Sequence, residues 1–378
     1  MSAPDDERLA RAALNQLGEP GDTKMLGLVA ELGAVRLHRL LVEEVDPEGL
    51  RTDVALRLAA VDPARELERA DRLGLRWVVP GDDEWPAGLD DLGGAGAVQE
   101  RGGVPLGLWV RGPARLDELA RGVAVVGSRA ATTYGDDVAG EVAGAVARAG
   151  RPVVSGGAFG IDYAAHRGAV SAGGTTVAVV ACGADRVYPQ AHAAMFDHVV
   201  RTGAVVSEAA PGCAPHRVRF LARNRLIAAL TGGTVVVEAA LRSGALNTAN
   251  WAGRLQRPLM GVPGPVTSAA SSGVHEWIRT GAMTLVTRGA EVLELVSPAG
   301  VATVAPLRAE ETAYDRLSPK QRQVLDAVPV AIAAGTESVA RTAGLGLREV
   351  HGALARLREA GFVEAGPRGW RLAEEART

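Results

Sequence analysis

The stretch that most constrains the fold is residues 122–162, in which two short apolar runs each end in a glycine-rich loop. The run from Val123 to Val126 has the β-branched composition of a strand that is buried on both faces of a parallel sheet. A helical segment follows over about 135–149, and a second strand is predicted over 152–155. Both loops therefore lie at the carboxyl ends of strands, where open α/β sheets bind ligands.

The two loops predict a phosphate-binding site, although each could also be a plain chain reversal. Glycine lets the backbone approach a phosphate closely, and the free amides at a helix N-terminus favour an anion. The spacing is not G-x-G-x-x-G, and no acidic residue is placed to bind a ribose, which argues against a nicotinamide cofactor. The candidate phosphate-binding residues are Gly127, Ser128, Arg129, Ser155, Gly156, Gly157 and Gly160.

Strand and helix patterns continue to alternate over residues 119–296, which predicts an α/β fold with a doubly wound parallel sheet. The further strands are predicted at 176–181, 204–207, 234–238 and 259–262, and the helices between them at 161–173, 190–202, 221–231 and 246–256.

Flanking segments differ in character from the sheet region. Leucines at helical spacing predict a small helical domain over 1–62, and the sheet domain is expected over 63–297. Residues 298–315 are rich in alanine and proline and are interpreted as a linker. Residues 316–378 predict three helices and a hairpin, which is a winged-helix pattern.

Composition limits the classes of protein that the chain could belong to. The net charge of -3 argues against a globally basic nucleic-acid binder but leaves room for a local basic patch. Cys182 and Cys213 are the only cysteines, too few for a disulfide framework or a zinc site. We expect no metal and no cofactor. No signal-peptide or transmembrane run occurs in the sequence, so we expect a cytoplasmic protein without membrane contacts.

The strongest local signal is the basic segment 215–225, which holds four arginines and one aromatic residue. No acidic residue lies between Glu208 and Glu238, whereas a solvated helix face usually carries both signs. Arginines can bind the phosphates of a single strand while Phe220 stacks on a base. Internal pairing with Glu208 or Glu238 is the alternative, above all for Arg225. The candidate contacts for single-stranded DNA are Arg217, Arg219, Phe220, Arg223 and Asn224.

Two weaker signals leave alternatives open. Ser243 and Gly244 open a helix after a predicted strand and form either an anion niche or a tight cap. Asp162 and His166 are four residues apart on a predicted helix, so they share one face. They are either an acid–base pair or a helix cap with a packed imidazole beneath it.

The chain resembles the DNA-processing protein A family, also called DprA or Smf, and the resemblance extends over nearly the whole chain. The matching segments are VAVVGSR at 123–129, SGGAFGIDYAAHRGAV at 155–170, VYP at 187–189, FLARNRLIAAL at 220–230, VVVEAALRSGALNTANWA at 235–252 and GVPG at 261–264. The motifs have the order and spacing of the family.

The resemblance implies an extended Rossmann-like domain, a helical domain like a sterile alpha motif before it and, in many members, a winged helix after it. It also implies a homodimer without enzymatic activity that binds and protects single-stranded DNA and loads the RecA recombinase. By motif match, Arg129 is the phosphate-binding arginine, and the basic single-strand groove contains Arg219, Phe220, Arg223 and Asn224. Leu221 replaces the usual proline after the phenylalanine, and arginines stand at 217 and 219 where lysine is common.

Two other functions remain as alternatives. Nucleotide phosphoribohydrolases share this Rossmann variant, but their Pro-Gly-Gly-x-Gly-Thr-x-x-Glu pattern is matched only loosely by residues 231–238. A transcription regulator would act through the winged helix, where basic residues lie on the third predicted helix.

Overall fold

The computed structural model describes residues 3–44, 52–302, 304 and 312–374. These residues belong to two compact units, which divide between positions 304 and 305. The first unit holds the sheet and the N-terminal helices, and the second holds the C-terminal helices and a hairpin. The division falls inside the segment 298–315 that the sequence predicts as a linker, of which residues 303 and 305–311 lie outside the described part.

In the described ranges 3–44 and 52–72, five short helices precede the sheet, and polar caps begin three of them. The carboxylate of Asp22 accepts hydrogen bonds from two backbone amides, and the side chains of Thr52 and Asp62 each accept one. Such caps satisfy amides that have no partner within the helix. Leu14 and Leu37 are buried in the core of this region. The helices are α1 (Asp5–Leu17), α2 (Thr23–Leu32), α3 (Ala34–Val42), α4 (Asp53–Ala59) and α5 (Pro63–Arg72).

Within the described residues the central sheet contains nine strands, named β1 to β9 in chain order, and most neighbours are parallel. Its spatial order is β1-β2-β6-β5-β4-β3-β7-β8-β9. Only β2 runs against its neighbours, β1 and β6, so the predicted α/β class is confirmed with one reversed strand near the edge. The strands are β1 (Leu75–Val78), β2 (Leu108–Arg111), β3 (Val123–Val126), β4 (Val153–Ser155), β5 (Thr176–Val179), β6 (Ala204–Ser207), β7 (Gly233–Val236), β8 (Leu259–Gly261) and β9 (Thr284–Leu285).

Helices cover both faces of the sheet, as alternation along β3 shows. Val123 and Val125 pack into one core, whereas Ala124 and Val126 pack into another. Successive strand residues point to opposite faces, so an unbroken apolar run requires cover on both sides. The helices of this part are α6 (Thr133–Arg148), α7 (Ile161–Ser171), α8 (Ala193–Thr202), α9 (Arg217–Leu230), α10 (Ala245–Arg254), α11 (Ser272–Arg279) and α12 (Gly289–Val296).

The start of α9 differs from the sequence-based expectation of residue 221. The helix begins at Arg217, with His216 as its extended N-cap residue. Residues 217–220 contain no helix breaker, and arginine has a high helix propensity, so an apolar first turn is not needed. Most of the basic segment is therefore helical, which fixes the spacing of its side chains.

The second unit has its own small core. Val324, Val350, Leu354 and Leu357 are buried within it. Over residues 312–374, the part of this unit that is described, three helices are followed by a two-stranded hairpin, which is the element order predicted for a winged helix. The winged-helix assignment itself stays a prediction. The elements are α13 (Pro319–Asp326), α14 (Thr336–Ala343), α15 (Leu347–Glu359), β10 (Val363–Gly366) and β11 (Gly369–Leu372). Among the helices of the described ranges, none is both long and apolar enough to cross a bilayer.

Candidate nucleic-acid interface

The two glycine-rich loops at the ends of β3 and β4 touch each other. The amide of Ile161 donates a hydrogen bond of 3.1 Å to the carbonyl oxygen of Ser128. Gly160 has a φ of +73°, and a Cβ there would collide with the carbonyl oxygens of Ser128 and Arg129. A Cβ on Gly127 would lie 2.6 Å from the Ile161 side chain. Glycine is thus required on both sides of the contact, which brings together four of the predicted phosphate-loop positions: Gly127, Ser128, Arg129 and Gly160.

Glu238, just after β7, holds the loop that carries Arg129. Its backbone oxygen accepts a 2.7 Å hydrogen bond from the amide of Ser128. One carboxylate oxygen accepts from the amide of Thr132 at 2.9 Å, and the other accepts from the Thr132 hydroxyl at 2.6 Å. Glu238 is buried, so these bonds give the carboxylate a structural role in this loop. Catalysis by Glu238, which the phosphoribohydrolase alternative needs, would require this carboxylate to leave Thr132.

A cleft opens beside these loops, and the Phe220 ring of α9 forms one of its walls. The Arg129 guanidinium lies 4.8 Å from the centre of this ring, and the Arg223 guanidinium lies 5.8 Å from it. Such distances allow cation–π attraction. The cleft has a volume of about 390 Å³, including the part open to solvent. It is lined by Arg129, Gly156, Ala158, Phe159, Val180, Ala181, Cys182, Tyr188, Pro189 and Phe220.

Two further aromatic residues, Phe159 and Tyr188, lie at this cleft and were not among the site residues predicted from the sequence. Phe159 is 50% exposed and Tyr188 is 47% exposed, in a chain with only 4% aromatic residues. Phe159 packs edge-on against His192, and the Tyr188 ring centre lies 6.0 Å from that of Phe220. A signal for both was present, because each belongs to a segment that carried the family resemblance. Exposed rings beside arginines suit the stacking of unpaired bases.

Arg223 is not among the residues that line the cleft. It is buried, and it donates a hydrogen bond to the carbonyl oxygen of Val179. Burial lowers the pKa of Arg223 to about 10, and the opposing influence comes first from Asp162. Burial likewise raises the pKa of Asp162, while the Arg223 charge acts against that rise. A Cβ on Gly156 would strike both of these side chains, so glycine there makes room for the pair.

Arg225 forms an internal ion pair with Glu208, which the sequence analysis gave as the alternative to DNA contact. Its two terminal nitrogens lie 2.6 Å from the two carboxylate oxygens of Glu208. The Arg225 side chain is 0% exposed and that of Glu208 is 5% exposed. This pair is therefore part of the core. Arg225 has no access to a ligand.

Arg219 is paired as well, with a partner that lies far away in the chain. Its Nε and one terminal nitrogen each lie 2.7 Å from an oxygen of Glu19. Its other terminal nitrogen donates to the carbonyl oxygen of Ala214 at 2.7 Å. Arg217 is exposed, and within the described ranges it has no ion-pair partner. The basic segment thus contributes one open arginine, one paired at the surface and two in the interior.

The remaining predicted site residues make local contacts. The Ser155 hydroxyl is buried and donates to the carbonyl oxygen of Val125, which turns it away from any ligand. Ser243 accepts a 3.3 Å hydrogen bond from the amide of Ala245, as a cap does. Asn224 donates to the carbonyl oxygen of Gly244 at 3.4 Å and thereby ties α9 to the loop before α10. Gly157, at a φ of +71°, is packed against the Phe196 ring.

Asp162 and His166 do not contact each other through hydrogen bonds. Asp162 accepts from the amide of Ala158 at 3.4 Å, whereas His166 Nδ1 lies 2.7 Å from the hydroxyl of Thr176. The Thr176 hydroxyl donates its own proton to the carbonyl oxygen of Val153, so we assign the Nδ1 proton to His166. These separate partners match the structural alternative for both residues.

The doubly wound sheet, the contacting glycine loops and the arginine–aromatic cleft define a Rossmann-like protein with a candidate ligand site at one edge of the sheet. The chain belongs to the DNA recombination-mediator protein A family, whose model matches residues 76–297. This confirms the resemblance seen in the sequence.

Individual relatives agree with this assignment. The chain is 44% identical over 376 residues to the putative DNA processing protein DprA of Mycobacterium tuberculosis, an alignment covering 97% of this chain and 95% of that protein. The X-ray structure of DNA processing protein A from Streptococcus pneumoniae is 30% identical, with a TM-score of 0.62 over 78% of this chain and 98% of that one. DNA processing protein A from Helicobacter pylori, whose structure describes a single-stranded DNA binding mode, is 26% identical with a TM-score of 0.50 over 58% and 94% of the respective chains.

Proposed function

We propose that this protein binds single-stranded DNA at the cleft, with Arg129 on the phosphates and Phe220 stacked on a base. The observation that carries the proposal is the exposed Arg129 guanidinium lying over the Phe220 ring, beside two more exposed rings. Phosphate contact and base stacking are the two interactions that non-specific single-strand binders combine. The single-stranded DNA binding of the Helicobacter pylori relative supports the same assignment.

The geometry suits an unpaired strand better than a duplex. In a duplex the bases stack on one another, and their faces are not available to side-chain rings. Phe159, Tyr188 and Phe220 offer ring faces or edges at one cleft, and such stacking tolerates any base. Arg129 and Arg217 supply charge without reading sequence. We therefore expect little sequence preference and a marked dependence on salt.

Fluorescence anisotropy of a labelled oligothymidylate tests this proposal. The wild type should bind the single strand tightly and a duplex weakly, and Arg129→Ala should weaken single-strand binding. Arg279→Ala is the matched control, because it removes one arginine from the surface of α11, an element that contributes nothing to the cleft. Equal or stronger duplex binding that Arg129→Ala leaves unchanged would contradict the proposal and favour the transcription-regulator alternative.

We further propose that the protein acts as a homodimer in the cytoplasm and loads the RecA recombinase onto the strand. The family name, a recombination mediator, supports a role beside a recombinase. Sedimentation analysis should give twice the mass of one chain. RecA should form filaments faster on DNA precoated with single-strand binding protein when this protein is added. A mass equal to one chain would contradict the homodimer. An unchanged rate of filament formation would contradict recombinase loading.

We propose a binding role without catalysis. Relatives carry the names of DNA processing proteins, and the Glu238 carboxylate is engaged by Thr132. Incubation with nucleoside monophosphates should release no free base. Base release that disappears in Glu238→Gln would instead establish the phosphoribohydrolase alternative.

A further inference from the structure

We propose that the Glu19 carboxylate occupies Arg219 in the free protein and that a DNA phosphate displaces it when the strand binds. Glu19 would then be a built-in competitor that tunes affinity at the interface. This inference rests on the proposed function, because the competing ligand is the phosphate backbone of the bound strand.

The geometry of the pair is that of phosphate recognition. Arg219 offers Nε and one terminal nitrogen, and each lies 2.7 Å from a different oxygen of Glu19. This planar pair of donors can form bidentate hydrogen bonds with either a carboxylate or a phosphate. Arg219 directly precedes Phe220 in α9, and it lines a small cavity that shares Val180 and Ala181 with the cleft. One phosphate can therefore replace one carboxylate without a change of backbone.

A fixed turn between α1 and α2 presents Glu19 to Arg219. Gly21, at a φ of +69°, donates its amide to Glu208 at 3.3 Å and accepts from the amide of Gly102 at 3.1 Å. Glu208 is itself held by the buried Arg225. The position of the competing carboxylate is thus set by contacts with the sheet domain, and it does not depend on a free tail reaching the site.

Exposure separates this pair from the other carboxylate pair of α9. The Glu19 side chain is 44% exposed and the Arg219 side chain is 12% exposed, whereas the Arg225–Glu208 pair is sealed in the core. Because solvent reaches the Glu19 carboxylate, this pair is screened and its carboxylate can exchange, whereas breaking the fully buried pair would leave an uncompensated charge. Arg219 also keeps its bond to the Ala214 carbonyl oxygen when Glu19 leaves. Exchange is therefore possible at Arg219 and not at Arg225.

The test is oligothymidylate binding by Glu19→Gln across a range of salt concentrations. Affinity at low salt should rise about two- to fivefold, the size expected when a weak surface pair no longer competes. The slope of log affinity against log salt should steepen by about 0.7, because one more phosphate is neutralised in the net reaction. Glu19→Ala should give the same two changes.

Two controls isolate the exchange from a general charge effect. Glu276→Gln removes the same charge and also frees an arginine, Arg279, but on α11 away from the cleft. It should leave affinity and slope at wild-type values. In an Arg219→Ala background, Glu19→Gln should have no effect, because no cation remains to be released.

Unchanged or weaker binding by both Glu19 variants would overturn the proposal and would mean that Glu19 orients Arg219 for DNA. The proposed function would survive that result if Arg129→Ala still weakened binding. Failure of the wild type to bind a single strand would instead remove the proposed function. Thermal unfolding of each variant establishes that the affinities belong to folded protein.

Discussion

The Arg129 guanidinium lies 4.8 Å from the centre of the Phe220 ring, although the two residues belong to different elements. Arg129 is in the loop after β3, and Phe220 is in the first turn of α9. The contact joins the glycine-rich loops to the basic helix and holds the cation beside an aromatic face. A nucleotide placed there would meet a charge for its phosphate and a ring for its base.

Replacement of Phe220 by leucine should weaken single-strand binding without changing its salt dependence. Stacking of a base on an aromatic ring contributes about 1–3 kcal/mol, so the loss should be roughly 5- to 150-fold. Arg129→Ala should weaken binding and also make the slope against log salt shallower by about 0.7. Anisotropy titrations at four salt concentrations separate the two effects. A shallower slope in Phe220→Leu would show that the ring acts mainly by holding Arg129.

Alanine at Gly160 should cost more stability than alanine at Gly173, although both have φ near +70°. A positive φ costs alanine about 1–2 kcal/mol, and Gly160 also has a ψ of -127°, outside the left-handed helical region, which adds strain there. Gly173 has open space for a Cβ, whereas Gly160 is against two carbonyl oxygens of the facing loop. Urea unfolding gives the two free energies, and only Gly160→Ala should also weaken single-strand binding. Equal losses of unfolding free energy in the two variants would show that the loop after β3 and the loop after β4 can separate without cost.

Local patterns predicted most of the sheet because each strand carries its own apolar run and ends at its own small-residue loop. The pairing of β2 with β6 could not be predicted in this way. Those strands are about a hundred residues apart, and a short apolar run does not encode which edge it joins or in which direction. The sequence pattern predicts the start of α9 at residue 221 and not at Arg217, because arginines interrupt the apolar residues of its first turn.

The candidate site was predictable where it depended on neighbours in the chain and not where it depended on distant partners. Glycines at strand ends pointed to the loops, and clustered arginines pointed to α9. The absence of acids near these arginines suggested that they were free, yet Glu19 is 200 residues from Arg219 in the sequence. Arg223 is buried because α9 packs on the sheet. The pattern of charges in the sequence does not indicate which residues of a helix are buried in this way.

Arg223→Met should destabilise the fold, in contrast to Arg217→Ala. Removal of Arg223 takes away its hydrogen bond to the Val179 carbonyl oxygen and the main charge opposing the burial of Asp162, a loss of about 1–3 kcal/mol. Asp162→Asn in the same chain should recover part of that loss. Arg217 is exposed, so Arg217→Ala should change the free energy of unfolding by less than about 0.5 kcal/mol and should make the salt slope shallower. A stable Arg223→Met protein would show that the pair is dispensable.

His166 should make the protein less stable as the pH falls. Burial lowers its pKa from 6.5 to about 3, and the positive charges of His192 and Arg223 act in the same direction. Below pH 6.5 the unfolded chain binds a proton here that the folded chain does not, so this residue lowers the free energy of unfolding progressively down to pH 3. The loss is at most about 1.4 kcal/mol per pH unit.

Urea unfolding of the wild type and His166→Gln at pH 7, 6 and 5 measures this contribution. The glutamine variant has no group that titrates at this position, so its stability should decline less steeply over that interval. The difference between the two slopes should approach 1.4 kcal/mol per pH unit toward pH 5, whatever the absolute stability of the variant. Parallel curves would mean that the folded protein accepts a proton on the imidazole, through the Nε2 atom that has no hydrogen-bond partner within the described residues.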